Sequence, residues 1–269
     1  MHCTIVVDDF NGRRDLLAEH GLSIYLKTPR GNVLFDAGQG ICLLHNAHAM
    51  GLDLGLVDHL VLSHGHYDHS WGIPKVLQEA GRLPLWAHPA FEAPHHTKRG
   101  GRLRYCGAHL AKASFDFKPV EGSAEIIEGV WAISVPNEER NPDFAPKDPN
   151  LIVPEGKDWA PDPFDDDLSM VVKGRFGYSV ILGCAHAGAV NILEVASRRF
   201  DTKNFYAVIG GMHMEGQSKE FLERSVAALA DRFSVTIFRP CHCTGFRAAA
   251  TLASAFDVDW AASGTSLEL

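Results

Sequence analysis

Apolar residues along the chain come in runs of four to seven, separated by polar, glycine-rich breaks, and such runs predict short strands alternating with amphipathic helices. Residues 3–7 read as a strand, and 22–27 with 32–35 as a hairpin around Thr28-Pro29-Arg30-Gly31. Residues 41–50 predict a helix, with His45 and His48 on its solvated face. A strand-like run at 59–62 leads into a polar loop, a helix at 75–80 and a strand at 83–87. Two further hairpins follow, 125–128 with 130–135 and 168–173 with 178–182. The chain then alternates: helix 190–198, strand 205–209, helix 218–232, strand 235–240 and a last helix to about 255.

Two stretches break this pattern. Residues 88–120 read as an irregular insert, and residues 136–163, rich in Pro, Asn, Asp and Glu, as a long lid-like loop. Strands resume directly after each, so the pattern predicts one α/β domain over residues 1–269.

Composition narrows the class. With 46% hydrophobic and 22% charged residues, the 269-residue chain can bury a full core. A net charge of -8 speaks against a general nucleic-acid binder. There is no apolar run long enough for a membrane span. The first residues enter a strand at once, without the basic-then-apolar layout of a signal peptide, so a cytoplasmic protein is expected. The six cysteines include no C-x-x-C pair, which removes zinc ribbons and thioredoxin-type motifs.

The chemistry concentrates in Ser63-His64-Gly65-His66-Tyr67-Asp68-His69-Ser70-Trp71-Gly72, on the loop after a buried strand. Imidazole nitrogen and carboxylate oxygen are ligands for zinc and related ions. His64 and His66, two apart on extended backbone, fall on one side and can share an ion. Asp68 and His69, after the chain turns, can face a second ion, or Asp68 can hold a water on the first. Such density of ligand-type residues exceeds what a polar turn would carry by chance.

The pattern S-H-x-H-x-D-H followed by S-x-G resembles the signature loop of the metallo-β-lactamase superfamily. The resemblance implies a four-layer αββα sandwich and one or two divalent ions, zinc first, with iron and manganese as alternatives. It also implies later ligands at successive strand ends. His186, in Gly183-Cys184-Ala185-His186-Ala187-Gly188, would complete a first set with His64 and His66. His242, in Cys241-His242-Cys243-Thr244-Gly245, would complete a second with Asp68 and His69. If that segment is extended, Cys241 and Cys243 point away from His242 as packed residues. Asp36, at the end of the second hairpin strand, would orient a ligand, or simply close a turn.

Together with Asp167-Leu168-Ser169-Met170 and Ile209-Gly210-Gly211-Met212-His213, these motifs resemble a branch named for 7,8-dihydropterin-6-methyl-4-(β-D-ribofuranosyl)-aminobenzene-5'-phosphate synthase. That branch implies a phosphate-bearing, pterin-type compound and a transfer reaction. Hydrolytic branches carry a bridging Asp where this chain has Gly-Gly-Met-His. An imidazole cannot bridge two dications as a carboxylate does, so the second position is expected to be the weaker. His213 is then either a substrate-facing donor or proton carrier, or a turn residue bonded to backbone.

The basic run Lys98-Arg99-Gly100-Gly101-Arg102-Leu103-Arg104 reads as an anion-binding flap or as a solvated loop. On the first reading some of His95, His96, Arg102 and Arg104 contact an anionic small-molecule substrate. The expected function is a metal-dependent hydrolase or transferase working through metal-bound hydroxide or Lewis-acid catalysis, with Asp68 accepting a proton. An iron-dependent redox enzyme on the same fold and a non-catalytic metal or ligand binder are the alternatives. Oligomeric state is left open.

Overall fold

The computed structural model describes residues 1–269. Two seven-stranded sheets lie face to face. In the first the order is Ser266–Glu268, His2–Val7, Ser23–Thr28, Gly31–Phe35, His59–Val61, Pro84–Ala87, Asp116–Pro119. In the second it is Asp257–Val258, Ser234–Pro240, Asn204–Gly210, Gly177–Leu182, Leu168–Gly174, Val130–Ser134, Ser123–Ile127.

Strands apolar on both faces must be covered twice, and three buried clusters do so. Ile5, Leu26, Phe35 and Val61 meet Met170, Val172, Ile181 and Ile209 between the sheets. The outer face of the first sheet packs on helices Leu43–Ala49 and Ile73–Ala80. The outer face of the second packs on Ala189–Phe200, Lys219–Arg232 and Phe246–Leu252. The layers are therefore helix, sheet, sheet, helix, as the motif resemblance implies. No helix is long and apolar enough to cross a membrane.

The parallel strands put the chemistry at one end. Leu182, Gly210 and Pro240 lie in register at the carboxyl ends of three parallel neighbours in the second sheet. Phe35 and Val61 end side by side in the first. The loops leaving these strands meet there, and such carboxyl-end crevices are where α/β sheets bind ligands.

The two stretches expected to be irregular are so only in part. His96–Arg99 and Arg102–Tyr105 form a hairpin, as do Leu151–Glu155 and Asp158–Pro161, and the two join into a four-stranded sheet. The first turn is Gly100-Gly101, with φ of 57° and 75°, the left-handed pair that a two-residue hairpin turn needs. In the first hairpin Lys98 and Arg99 put charge on opposite faces, and in the second Pro154, Gly156 and Pro161 break the run, so neither shows the alternation that a hydrophobicity-based reading needs. The small sheet caps the crevice.

Candidate metal centre

The metal loop is pinned before its side chains are considered. Leu22 N donates to the Asp68 carbonyl (3.1 Å) and Ala37 N to that of His69 (2.8 Å). Gly72 sits where an added Cβ would come within 1.9 Å of the Ala37 carbonyl oxygen, so only glycine lets the following helix pass. Buried Glu19 accepts from the amides of Gln39, Gly40, Ile41 and Cys42, fixing the neighbouring loop. Six non-glycine residues have positive φ, and Asp36, Ala185, His213 and His242 among them lie in the loops of this crevice. Backbone strain of this kind persists where surrounding structure enforces it and gathers at functional sites.

His64, His66 and His186 form the first set. All three are buried, and each offers a nitrogen within 4.8 Å of the others. Ser63 Oγ donates to Asp36 Oδ2 (2.6 Å), so His64 Nδ1, 2.9 Å from that hydroxyl, must donate to it. His64 Nε2 is left with a lone pair and no partner. His66 Nε2 and both nitrogens of His186 are likewise buried without hydrogen bonds. Phe164 stacks on His186 at 3.7 Å and fixes its ring. Burial, then the neighbouring imidazoles, pushes the pKa of all three down, that of His66 to about 4. Buried unpartnered nitrogens are costly, and three converging on one point fit a divalent ion.

Asp68, His69 and His242 form the second set, and its histidines are backed by carboxylates. His69 Nδ1 donates to Asp36 Oδ2 (2.6 Å) and His242 Nδ1 to Asp9 Oδ1 (2.6 Å). Asp8 holds the loop itself, accepting from His242 N at 2.7 Å. With Nδ1 protonated, the Nε2 lone pairs of His69 and His242 face each other at 3.2 Å. Asp68 Oδ2 lies 3.4 Å from one and 3.8 Å from the other. Three acceptors pointed at one place need a cation or a proton between them. Burial alone would lower His242, but Cys243, Asp68 and Asp9 raise it well above its ordinary value. Burial would raise Asp68, yet His69, with hydrogen bonds from His20 and His242, holds it below the carboxylate range. These donors fit a second divalent ion, which would replace that proton.

His20 closes this side. Its Nδ1 lies 2.8 Å from Asp9 Oδ2 and its Nε2 3.2 Å from Asp68 Oδ2, contacts that raise its pKa to about 10 although the ring is half exposed. His213 faces the crevice, its ring 4.2 Å from that of His186 and its Nδ1 without a partner. Its amide donates to Cys243 Sγ at 3.2 Å.

Cys243 corrects an expectation. Residues 242–244 form a tight 3-10 turn with His242 at φ 50°, not an extended segment. The turn swings Cys243 to the same side as His242, where its Sγ lies 3.3 Å from that of Cys184. Cys241, by contrast, is packed in the core between the sheets.

His66 and His186 of the first set, Asp68 and His242 of the second, and the small sheet line one cavity of ≈ 1030 Å³. The strand register selects its cationic wall. Thr97 pairs with Arg104 and Arg99 with Arg102, and these four face the cavity, together with Lys147 from the former lid segment. Of the four residues expected to meet an anion, Arg102 and Arg104 thus line the cavity, whereas His95 and His96 do not. His96 pairs with Tyr105 on the opposite face and packs against Tyr105 and Trp159. His95 is buried behind His66, with Nδ1 2.5 Å from Asp162 Oδ2 and Nε2 3.4 Å from Asp166 Oδ2. Burial opposes its charge, but the two carboxylates raise its pKa to about 10. Asp166 also accepts from Gly65 N at 2.6 Å, so this clamp steadies the metal loop.

Sequence reasoning passed over Asp9, His20, Cys184 and Lys147, read Cys243 as a packed residue, and left Arg99 within the basic run without a role. Asp9 carried a signal, standing at the end of the first apolar strand much as Asp36 ends another. Arg99 could have been found from the Gly100-Gly101 turn and strand alternation.

Known proteins resemble this chain in sequence and in fold. A family model described as the metallo-beta-lactamase superfamily matches residues 17–200. An uncharacterized protein of Methanocaldococcus jannaschii is 31% identical, covering 91% of each chain. Another from the same organism, named 7,8-dihydropterin-6-methyl-4-(beta-D-ribofuranosyl)-aminobenzene-5'-phosphate synthase, is 23% identical over 86% of this chain and 83% of its own. A crystal structure described as a metal-dependent hydrolase of the beta-lactamase superfamily superposes with a TM-score of 0.83 at 28% identity, covering 100% of this chain and 99% of the other.

Proposed function

The chain belongs to the metallo-β-lactamase superfamily, and from that premise we propose that it is a metal-dependent enzyme acting on an anionic, phosphate-bearing small molecule. One observation carries the reading: the cavity onto which His66, His186, Asp68 and His242 open is walled by Arg99, Arg102, Arg104 and Lys147. Arg99 is tied to Asp148 at 3.1 Å, whereas Arg102 and Arg104 have no carboxylate partner. Guanidinium groups match phosphate oxygens in charge and fork geometry. A phosphate held at this wall leaves the rest of the molecule to extend toward the triads.

His64, His66 and His186 would hold one divalent ion, zinc first, and Asp68, His69 and His242 a second. A bound dication supplies Lewis acidity and acidifies water toward neutrality. The chain's own residues do the rest. Asp36 and Asp9 lock the ring orientations of His69 and His242. Asp68 Oδ2 accepts a proton from the attacking group, and His20, kept charged by Asp68 and Asp9, donates to that carboxylate from Nε2 at 3.2 Å and holds it in place. His213 Nδ1 donates to the substrate. Hydrolysis and group transfer can both use this arrangement. The name of the 23% identical relative adds a finer candidate, a phosphate-bearing dihydropterin-type compound undergoing transfer, for which Tyr67 offers an aromatic surface on the cavity wall.

Inorganic phosphate titrated into the zinc-loaded protein tests the reading. Arg102→Ala and Arg104→Ala should each weaken it about 10-fold, the scale of one lost charge-assisted hydrogen bond. Phosphate affinity unchanged in both variants would remove the anionic substrate.

A further inference from the structure

Between the two ligand sets lies a side chain that neither uses. Cys184 Sγ is 3.2 Å from His69 Nε2, and Cys184, His64 and His69 each present a donor atom within 4.8 Å of the other two. His64 belongs to the first set and His69 to the second, so the sulfur sits at their junction. It is buried, yet lines the cavity floor. The backbone is shaped to bring it there. An added Cβ on Gly183 would fall 2.3 Å from Ser63 Oγ, so only glycine lets this strand end press against the metal loop. One on Gly211 would fall 2.7 Å from Cys243 Sγ, so glycine there also clears the space around the sulfurs. Ala185 takes a strained φ of 55° immediately after, which turns the chain so that Cys184 and His186 both face the crevice.

Charge points the same way. The six donors of the two sets carry a single carboxylate, Asp68, against two dications. Two such ions held close together in a buried site repel strongly unless an anion lies between them. A thiolate is such an anion and, being soft, favours zinc or ferrous iron over magnesium or calcium.

We propose that Cys184 is a metal ligand whose thiolate bridges the two ion positions, with Cys243 as the hydrogen-bonding neighbour that holds it in place. Binding the second ion releases the Cys184 thiol proton to solvent, and sulfur donates to both ions with no change in oxidation state. The inference rests on the metal reading of the two histidine sets. It reverses the expectation that the second position lacks a bridge.

Cobalt titration of the chelator-stripped, full-length protein under reducing conditions tests it. Wild type should bind two cobalt ions and show thiolate-to-cobalt charge-transfer absorption in the near ultraviolet. Cys184→Ser should lose that band and hold the second ion about 10–100-fold more weakly, a loss at least as large as that of an outer partner. Cys184→Asp should recover the second ion without the band, which separates a missing ligand from a damaged fold. Cys243→Ser should keep the band. Two bound cobalt ions without a charge-transfer band, or a band that survives Cys184→Ser, would overturn the bridge alone. A chain that binds no cobalt would overturn the bridge together with the metal reading.

Discussion

The two ligand sets lie side by side but are built on opposite principles. Apart from His64 Nδ1, which is bonded to Ser63 Oγ, the buried nitrogens that His64, His66 and His186 turn toward one another have nothing to bind, and Phe164 packs on the His186 ring. His69 and His242 are each gripped by a carboxylate, and their free nitrogens converge with Asp68 on one place. The first set is short of a partner. The second is short of a positive charge and can fill that need with a proton from water. An ion at the first set competes with an unsatisfied site, whereas an ion at the second must displace a proton. The first should therefore fill more readily and the second depend more on its carboxylate supports.

The sharpest way to break this comparison is to remove one histidine from each set. His186→Ala should abolish turnover and lower metal content, read by elemental analysis, by at least one ion per chain. His242→Ala should cost the second ion and leave the first. Loss of both ions in both variants would mean that the sets are one site.

Next in size is His213→Ala, which should lower turnover about 100-fold, at the low end for loss of a group that handles a proton, while both ions remain. Equal losses of metal and turnover would make His213 a ligand.

A smaller effect is expected from Asp9→Asn. It should weaken the second ion about 10–100-fold, the usual cost of losing a carboxylate behind a ligating histidine, with the first ion unaffected. Competition with a chromogenic chelator would measure it.

The smallest effect concerns the metal-free protein. His66 and His95 have ring centroids 4.9 Å apart yet are shifted in opposite directions, to about 4 and about 10. His66 has a folded pKa below its unfolded value, so its contribution is present above about 6.5 and lost as pH falls toward 4; His64 and His186 act likewise. Burial raises Asp167 to about 6 and partly opposes this. His95 has a folded pKa above its unfolded value, so its contribution is present below about 6.5 and lost as pH rises through 10. Urea midpoints of stripped protein should therefore peak near pH 6.5. His95→Gln should lessen the alkaline loss, the remainder belonging to His20 and His242, and zinc should raise the midpoint at pH 6.5 and above yet steepen the acidic side, because protons compete with the ion for the nitrogens of the first set.

Much of this was legible in the linear chain, for a local reason. The histidines and Asp68 sit within a few residues of strand ends that hydrophobic alternation marks clearly. The main helices and both large hairpins follow the same periodicity, shifted by a residue or two. What escaped was of two kinds. The hairpin over residues 96–105 carries charge on both faces, and that over 151–161 is interrupted by Pro154, Gly156 and Pro161, so neither shows a clean hydrophobic alternation. The register of the first decides that Arg102 and Arg104 enter the cavity while His96 turns away. The other kind is long-range. Asp9 reaches His242 across 233 positions, and His69 meets Cys184 across 115. No spacing rule links residues so far apart, because parallel-strand register and two loops with positive φ bring them together. Ligand types and their strand-end positions are thus properties of the sequence. Which carboxylate backs which imidazole, and which sulfur lies between the two sets, is settled by packing between the sheets, where the strand ends meet.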